Sequence, residues 1–315
     1  MVRLYSWALA EKALSYLPGG RTIYKSCGYM VQRRRRGWEA RGKPELSFVF
    51  ARRAKELIPP GGTAMEVGTG WFNHDAILLY LVGDYTVYLF DIEDNAKFAY
   101  LRNYIMNLLD KIDIVCRDLE IDRATTRDKL ERLLRARDKD EIYKVCRFVP
   151  CVTTSVYKPF LPSHSIDFMV GNCVINHIPL SMLVPELLSL KEMLTDNGRM
   201  YFLIRHDDHW AFHDSTANQF NYYQYSDKTY RLLFENKLEF QNRLVKPEWQ
   251  EIFKRCGLEE EERVDVTDED CTKMIRALPR IDSRFAGYSL ADLAISYSYV
   301  LLRKKAPSAS GLVGN

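Results

Sequence analysis

The chain has 315 residues, of which 47% are apolar, so it can form a full core in one large or two small domains. Its net charge of +3 gives no whole-protein case for nucleic-acid binding. The seven cysteines are scattered without a Cys-x-x-Cys pair, which disfavours a zinc ribbon or a disulfide framework and fits reduced thiols in a cytoplasmic protein.

No apolar run approaches the ~18 residues of a membrane span, and Glu11-Lys12 inside the first apolar stretch argues against a signal peptide. Residues 4–17 predict a weakly amphipathic helix ended by Pro18-Gly19-Gly20. We interpret it as a helix that caps the main domain, with a membrane-surface or partner helix as the alternative.

Residues 21–55 are basic and include the run Arg33–Arg36. Such a run is most often a solvated face or loop, with an anionic partner, such as a lipid headgroup or an acidic substrate, or nucleic acid as the alternatives. A helix is predicted over Glu45–Ile58, so residues 1–58 are expected to form an N-terminal helical extension.

The most informative stretch is Thr63–Asp91, which reads as a strand, a glycine turn, a helix and a second strand closed by an acid. Gly68 and Gly70 allow a sharp turn and close approach of a ligand to the backbone. A carboxylate at Asp91 can accept two hydrogen bonds from a ribose diol. This is the plan of a nucleotide-binding βαβ unit.

The third glycine of the dinucleotide fingerprint is absent, and Glu66 precedes the first glycine. That carboxylate would repel a pyrophosphate but would accept a positively charged amino-acid ligand. Glu-x-Gly-x-Gly followed by Asp91 resembles motifs I and II of class I S-adenosylmethionine-dependent methyltransferases.

Two later stretches extend this resemblance, so that it covers about residues 60–205. Residues 165–178 resemble the family's fourth-strand motif, with Asp167 opening the strand and Asn172 closing it. Residues 190–204 resemble its leucine, glycine turn and fifth-strand segment, with Asn197-Gly198 in place of the usual Pro-Gly or Gly-Gly.

The resemblance implies an α/β fold: a Rossmann-like seven-stranded, mostly parallel sheet with helices on both faces. Residues 59–305 would form the methyltransferase domain, and the tail 306–315 is predicted to be disordered. The cofactor would be S-adenosylmethionine, and the residues expected to hold it are Glu66, Gly68, Gly70, Asp91, Thr154 and Asn172.

The remaining elements complete this plan. Asp94 is expected to cap a helix over 95–109, and residues 117–144 to form one inserted surface helix with an apolar stripe at Leu130, Leu133 and Leu134. Further strands are predicted at 148–152, 166–172, 199–205, 258–266 and 294–303, the last antiparallel, with helices at 181–194, 246–256 and 268–277.

Residues 206–245, which we call the lid segment, leave the carboxyl end of the fifth strand and should cover the donor site. The segment resembles a stretch found in bacterial methyltransferases of surface-polysaccharide gene clusters. The matching residues are Asp208-His209, Asn221-Tyr222, Tyr225-Ser226-Asp227 and Asn242-Arg243-Leu244, together with Phe285 and Asp292-Leu293-Ala294 further along the chain.

Methylation of a hydroxyl needs a base, and histidine is the obvious residue type near pH 7. The candidates are His209 in the lid segment and His177 after the fourth strand, with Asp208 as a group that could orient a base or hold sugar hydroxyls. On one helix face, His206, His209 and His213 could instead bind a metal ion, but we predict no metal.

The resemblance thus implies a methyltransferase, and we expect it to act on a hydroxyl of a glycan or a related small molecule. An RNA or protein methyltransferase that uses the basic stretch 33–53 is one alternative. A non-catalytic binding protein with the same fold is the other.

Overall fold

The computed structural model describes residues 2–34, 45–153, 159–213, 217–238, 240–267 and 269–306. Within these ranges the backbone forms a seven-stranded sheet. Its strands are β1 Thr63–Val67, β2 Thr86–Asp91, β3 Phe148–Val152, β4 Ile166–Asn172, β5 Leu194–Arg205, β6 Leu258–Val266 and β7 Tyr297–Lys304.

The strand order is β3-β2-β1-β4-β5-β7-β6, in which β1 to β5 are parallel and β7 pairs antiparallel with both β5 and β6. The chain builds outward from β1 to β3 and then returns to place β4 on the other side of β1. The carboxyl ends of β1 and β4 therefore form the topological switch point, where ligands bind in open α/β sheets. The predicted Rossmann-like fold class is confirmed.

Helices cover both faces of the sheet because successive residues of a buried strand point to opposite sides. Ala64 belongs to one apolar core, whereas Met65 and Val67 belong to the other. The helices are α1 Val2–Tyr16, α2 Gly20–Arg34, α3 Glu45–Leu57, α4 His74–Val82, α5 Phe98–Asp110, α6 Ile112–Leu119, α7 Arg123–Leu134, α8 Lys139–Cys146, α9 Leu180–Met193, α10 Asp227–Leu233, α11 Lys246–Arg255, α12 Glu269–Arg276 and α13 Leu290–Leu293.

The prediction of one surface helix over 117–144 is wrong, because α6, α7 and α8 occupy this region. The side chains of Asp122 and Asp138 each accept a hydrogen bond from a backbone N–H three residues on and so start new helices. Leu130 and Leu133 are buried in the core. Asp94 is not the cap of α5, which begins after Lys97.

Strand β5 starts five residues earlier than predicted, so Asn197-Gly198 lies inside a strand and not in a left-handed turn. A Cβ on Gly198 would lie 2.9 Å from the carbonyl oxygen of Ile166, and close packing therefore explains this glycine. Strand β7 begins at Tyr297, three residues later than predicted.

At the N-terminal end, α2 is helical where the basic stretch was predicted to be a solvated face or loop, while Arg35 and Arg36 lie outside the described residues. The described part of the tail is Ala306 alone, so the predicted disorder of residues 307–315 also falls outside them. Among the described helices, none has both the length and the apolar composition that crossing a bilayer requires.

Candidate functional site

The turn after β1 contains two glycines in the left-handed region, and they have different surroundings. Gly68 has φ +74 and Gly70 has φ +58. A Cβ on Gly68 would lie 2.4 Å from Cγ2 of Val174 in the loop after β4, whereas nothing lies within 4 Å of a Cβ on Gly70. Packing thus requires the first glycine, and the second leaves space for a ligand against the backbone.

Asp91 ends β2 and faces this turn. Its Oδ2 accepts a hydrogen bond from the Gly70 backbone N–H at 2.9 Å, and its Oδ1 accepts one from the Glu93 N–H at 3.2 Å. Burial raises the pKa of Asp91, and the Gly70 N–H acts in the opposite direction. Oδ2 also accepts a longer hydrogen bond from the Thr69 hydroxyl at 3.4 Å. A carboxylate oxygen has two lone pairs, so the capacity left for a ribose hydroxyl lies chiefly on Oδ1.

Glu66 is buried and has a structural role that the sequence reasoning missed. Its two carboxylate oxygens accept hydrogen bonds from the backbone N–H groups of Asp75 at 3.3 Å and Ala76 at 3.1 Å, in the first turn of α4. An anion at this position satisfies the first N–H groups of the helix and its dipole. The expected role in holding a ligand's amino group therefore remains a prediction.

Asn172 ends β4, where its side-chain amide donates to the hydroxyl of Ser47 in α3 at 3.1 Å. This contact places the start of α3 beside the carboxyl end of the sheet, and no sequence motif pointed to Ser47. Thr154, the other expected cofactor residue, lies outside the described residues.

The structure brings the two candidate bases together. The 3₁₀ helix Ile175–His177 follows β4, and the 3₁₀ helix His209–His213 follows β5. Because β4 and β5 are parallel neighbours, both segments emerge at the same edge, and the rings of His177 and His209 have centroids 4.7 Å apart. We call these two residues the histidine pair.

Hydrogen bonds hold both members of the histidine pair in place. His177 Nδ1 lies 2.8 Å from the carbonyl oxygen of Phe240, which only accepts, so Nδ1 carries the hydrogen and Nε2 has the lone pair when the ring is neutral. The backbone N–H of His209 donates to the side-chain oxygen of Gln241 at 3.0 Å.

Asp208 is buried directly before His209. Its Oδ1 accepts a hydrogen bond from the Trp210 N–H at 3.0 Å. Burial raises the pKa of Asp208 to about 7, and the Trp210 N–H works against this rise. The side chain is thus a buried acid that titrates near neutrality, and the expected role in catalysis stays a prediction.

His206 has a different environment from the histidine pair. It is buried, with Nε2 3.0 Å from the hydroxyl of Ser298 and Nδ1 3.3 Å from the carbonyl oxygen of Leu244. Burial lowers its pKa to about 4, so the ring is neutral near pH 7. The metal alternative required His206, His209 and His213 to lie on one face of a helix. They do not, because the 3₁₀ helix begins at His209 and His206 precedes it. The described residues include no group of three possible metal ligands.

The run 241–243 fastens the lid segment to the loop after β4. The Gln241 side-chain amide donates to the carbonyl oxygen of Asp207 at 2.6 Å. The backbone N–H of Asn242 donates to the backbone carbonyl oxygen of Asn176 at 2.8 Å, and the Asn242 side-chain amide donates to the backbone carbonyl oxygen of Ile175 at 3.0 Å. The sequence signal was the Asn242-Arg243-Leu244 match, which did not reveal this anchoring.

Arg243 extends the same anchoring into the lid segment. Its guanidinium donates to the carbonyl oxygens of Tyr222 at 3.0 Å and Tyr225 at 2.7 Å. The neighbouring Asn176 is fully buried, and in the described part of the chain its side-chain amide has no hydrogen-bond partner. Buried polar groups are nearly always hydrogen-bonded, so this amide is a local exception in the loop after β4.

No protein-family description matches the chain, and no curated protein matches it. Among solved structures, a geranyl diphosphate C-methyltransferase from Streptomyces coelicolor with S-adenosyl-L-homocysteine is 12% identical, with a TM-score of 0.46 over 82% of this chain and 76% of that one. A phosphoethanolamine N-methyltransferase from Haemonchus contortus is 15% identical, with a TM-score of 0.47 over 84% of this chain and 53% of that one. The fold class follows from the strand order and not from these similarities.

Proposed function

We propose that this protein transfers a methyl group from S-adenosylmethionine to a hydroxyl of a glycan or a related small molecule. The observation that carries the proposal is the position of the histidine pair. His177 follows Val174, which packs against the glycine turn, so a base lies on the same short loop that contacts the expected donor site.

The residues present fit the donor. Gly70 leaves open space beside its backbone, and Asp91 keeps acceptor capacity for a ribose, so these residues would hold the nucleoside half. Gly68 keeps the turn closed against the loop after β4. Glu66 stabilises the helix start behind the turn, and Asn172 borders the site from β4. Bound S-adenosylmethionine would supply an activated methyl group on a sulfonium.

The protein's own contribution would be alignment and proton removal. An in-line displacement proceeds when the acceptor oxygen is held against the methyl group, which the lid segment would achieve. The acceptor proton would pass to a histidine nitrogen within hydrogen-bond reach. His177 Nε2 is suited to this role because the Phe240 carbonyl occupies Nδ1. His209 is the second candidate, and Asp208 would position the acceptor.

We further propose that residues 59–305 form the catalytic domain, with residues 1–58 as its extension, and that the protein works in the cytoplasm. All seven cysteines are free thiols, which fits a reducing compartment.

Calorimetric titration with S-adenosylmethionine tests the donor site. Asp91→Ala should weaken binding by about 2–3 kcal/mol, the scale of lost hydrogen bonds to a charged group. Asp94→Ala is the matched control, because Asp94 is exposed and contacts Lys139 instead. No binding by the native protein, or equal affinity in a folded Asp91→Ala variant, would contradict the proposal.

A further inference from the structure

Helix α1 exposes an apolar face to solvent. Trp7, Tyr16 and the adjoining Leu17 are 53%, 61% and 59% exposed. Leu9 and, at the start of α2, Ile23 are also exposed. The exposed positions of α1 between Ser6 and Tyr16 include no charged residue. Isolated apolar side chains on a surface are ordinary, but a whole helix face made of them is a feature of interaction sites.

Two charged residues of this helix, Glu11 and Lys12, point the other way, towards the lid segment. Lys12 Nζ donates to the carbonyl oxygens of Arg231 at 2.7 Å and Leu232 at 2.8 Å. Glu11 is buried and accepts a hydrogen bond from the Asn236 side chain at 3.4 Å. Ala8, also buried, packs into the aromatic core of the lid segment. Glu11 and Lys12 therefore lie on the side of α1 that packs against the lid segment, and the exposed side is left without a charge between Ser6 and Tyr16.

Positive charge is concentrated in the N-terminal part of the sequence. Residues 1–43 contain ten basic and two acidic residues, whereas the whole chain has 45 and 42, so the remainder is acidic overall. Among the described side chains, Lys237 Nζ lies 4.6 Å above the ring of Tyr16. Arg21 and Arg231 are largely exposed, although Arg21 also pairs with Glu93 and Arg231 with Glu235. Such a segregation of charge indicates an anionic partner.

We propose that the outward face of α1 binds the surface of an anionic lipid bilayer, with the helix lying in the interface. Trp and Tyr rings favour the headgroup region, leucine side chains enter the acyl boundary, and Lys and Arg bind anionic headgroups. A nucleic acid would satisfy the charges but would leave Trp7, Leu9 and Leu17 in water, so the bilayer fits both features. Because the inner face of α1 packs on the lid segment, docking would also place that segment beside the bilayer.

Vesicle co-sedimentation of the full chain tests this inference independently of methyl transfer. We expect binding to phosphatidylcholine vesicles containing phosphatidylglycerol, and much weaker binding to pure phosphatidylcholine. Leu9→Ser/Leu17→Ser should reduce binding at least tenfold. Met106→Ser/Leu188→Ser is the matched control, since both side chains are exposed on other helices, and it should bind like the native chain.

Quenching of tryptophan fluorescence by brominated lipid gives a second measurement. Quenching in the native chain that is lost in Trp7→Phe would support insertion of this face. Equal sedimentation of the Leu9→Ser/Leu17→Ser variant, absence of binding to anionic vesicles, or displacement from them by an equimolar single-stranded RNA would each overturn the proposal. The last result would assign the basic segment to nucleic acid.

Discussion

The donor side and the acceptor side of the candidate site differ in how far apart their residues lie in the chain. The glycine turn, Glu66, the start of α4 and Asp91 all fall within residues 63–91, and their hydrogen bonds connect near neighbours. The histidine pair instead depends on contacts with residues 240 and 241. One side is a local motif and the other is assembled by tertiary structure.

This difference also sets what each side tolerates. The donor side relies on backbone conformation, so an added Cβ disturbs it directly. The acceptor side relies on buried polar groups, and removing one partner leaves another unsatisfied at a cost of about 1–3 kcal/mol. Changes on the two sides should therefore separate donor binding from methyl transfer.

The largest expected effect is on chemistry at the acceptor side. Replacing the true base, His177→Ala or His209→Ala, should lower the single-turnover rate by ~10²–10⁴ while donor affinity stays unchanged. His164→Ala is the control, because His164 is exposed and contacts Asp196. If both variants of the pair keep the native rate, histidine base catalysis is wrong and a carboxylate becomes the leading candidate.

The next effect separates the two glycines of the donor turn. Gly70→Ala should lower the free energy of unfolding by about 1–2 kcal/mol, the cost of a left-handed L-residue. Gly68→Ala should cost about 2–4 kcal/mol, because its Cβ would also collide with Val174 at 2.4 Å. Urea unfolding of both variants measures the difference. Equal losses would mean that the contact with Val174 relaxes freely.

A third test uses the buried acid of the acceptor side. The pKa of Asp208 is raised from 3.8 to about 7 in the folded protein. The unfolded chain therefore ionises this group at a lower pH than the folded protein does. The folded state loses stability as the pH rises from about 4 to about 7. Asp208→Asn removes the cost of ionising this buried carboxyl. Its stability relative to the native chain should increase by about 2–3 kcal/mol between pH 5 and pH 8. A constant difference across this range would show that Asp208 is not a buried titrating acid.

The smallest expected effect concerns the connection between α1 and the lid segment. The hydroxyls of Tyr5 and Tyr225 lie 2.5 Å apart, so Tyr5→Phe removes one hydrogen bond and should cost about 1 kcal/mol. Tyr16→Phe is the control, because Tyr16 is exposed and its ring remains available to Lys237. Equal unfolding curves for the two variants would place the stability of the lid segment elsewhere.

Local patterns were reliable where one short stretch fixes its own structure. Apolar β-type runs, family-like motifs and helix-ending signals predicted β1 to β4 and several helices within a few residues. They failed over 117–144, where the caps at Asp122 and Asp138 divide one charged stretch into three helices. They also failed at Asn197-Gly198, because strand pairing with Ile166 extends β5 through a sequence that favours a turn.

The sequence by itself predicted the βαβ unit of residues 63–91, since glycine turns and strand-end carboxylates act over a few residues, and the resemblance that it carries implied the seven-stranded, mostly parallel sheet. It also named both histidines. Only the tertiary structure decided that their rings meet, that His206 is a neutral core residue, and that Glu66 stabilises α4. The physical reason is that burial and hydrogen bonding depend on partners distant in the chain, such as Ser298 for His206 and Phe240 for His177.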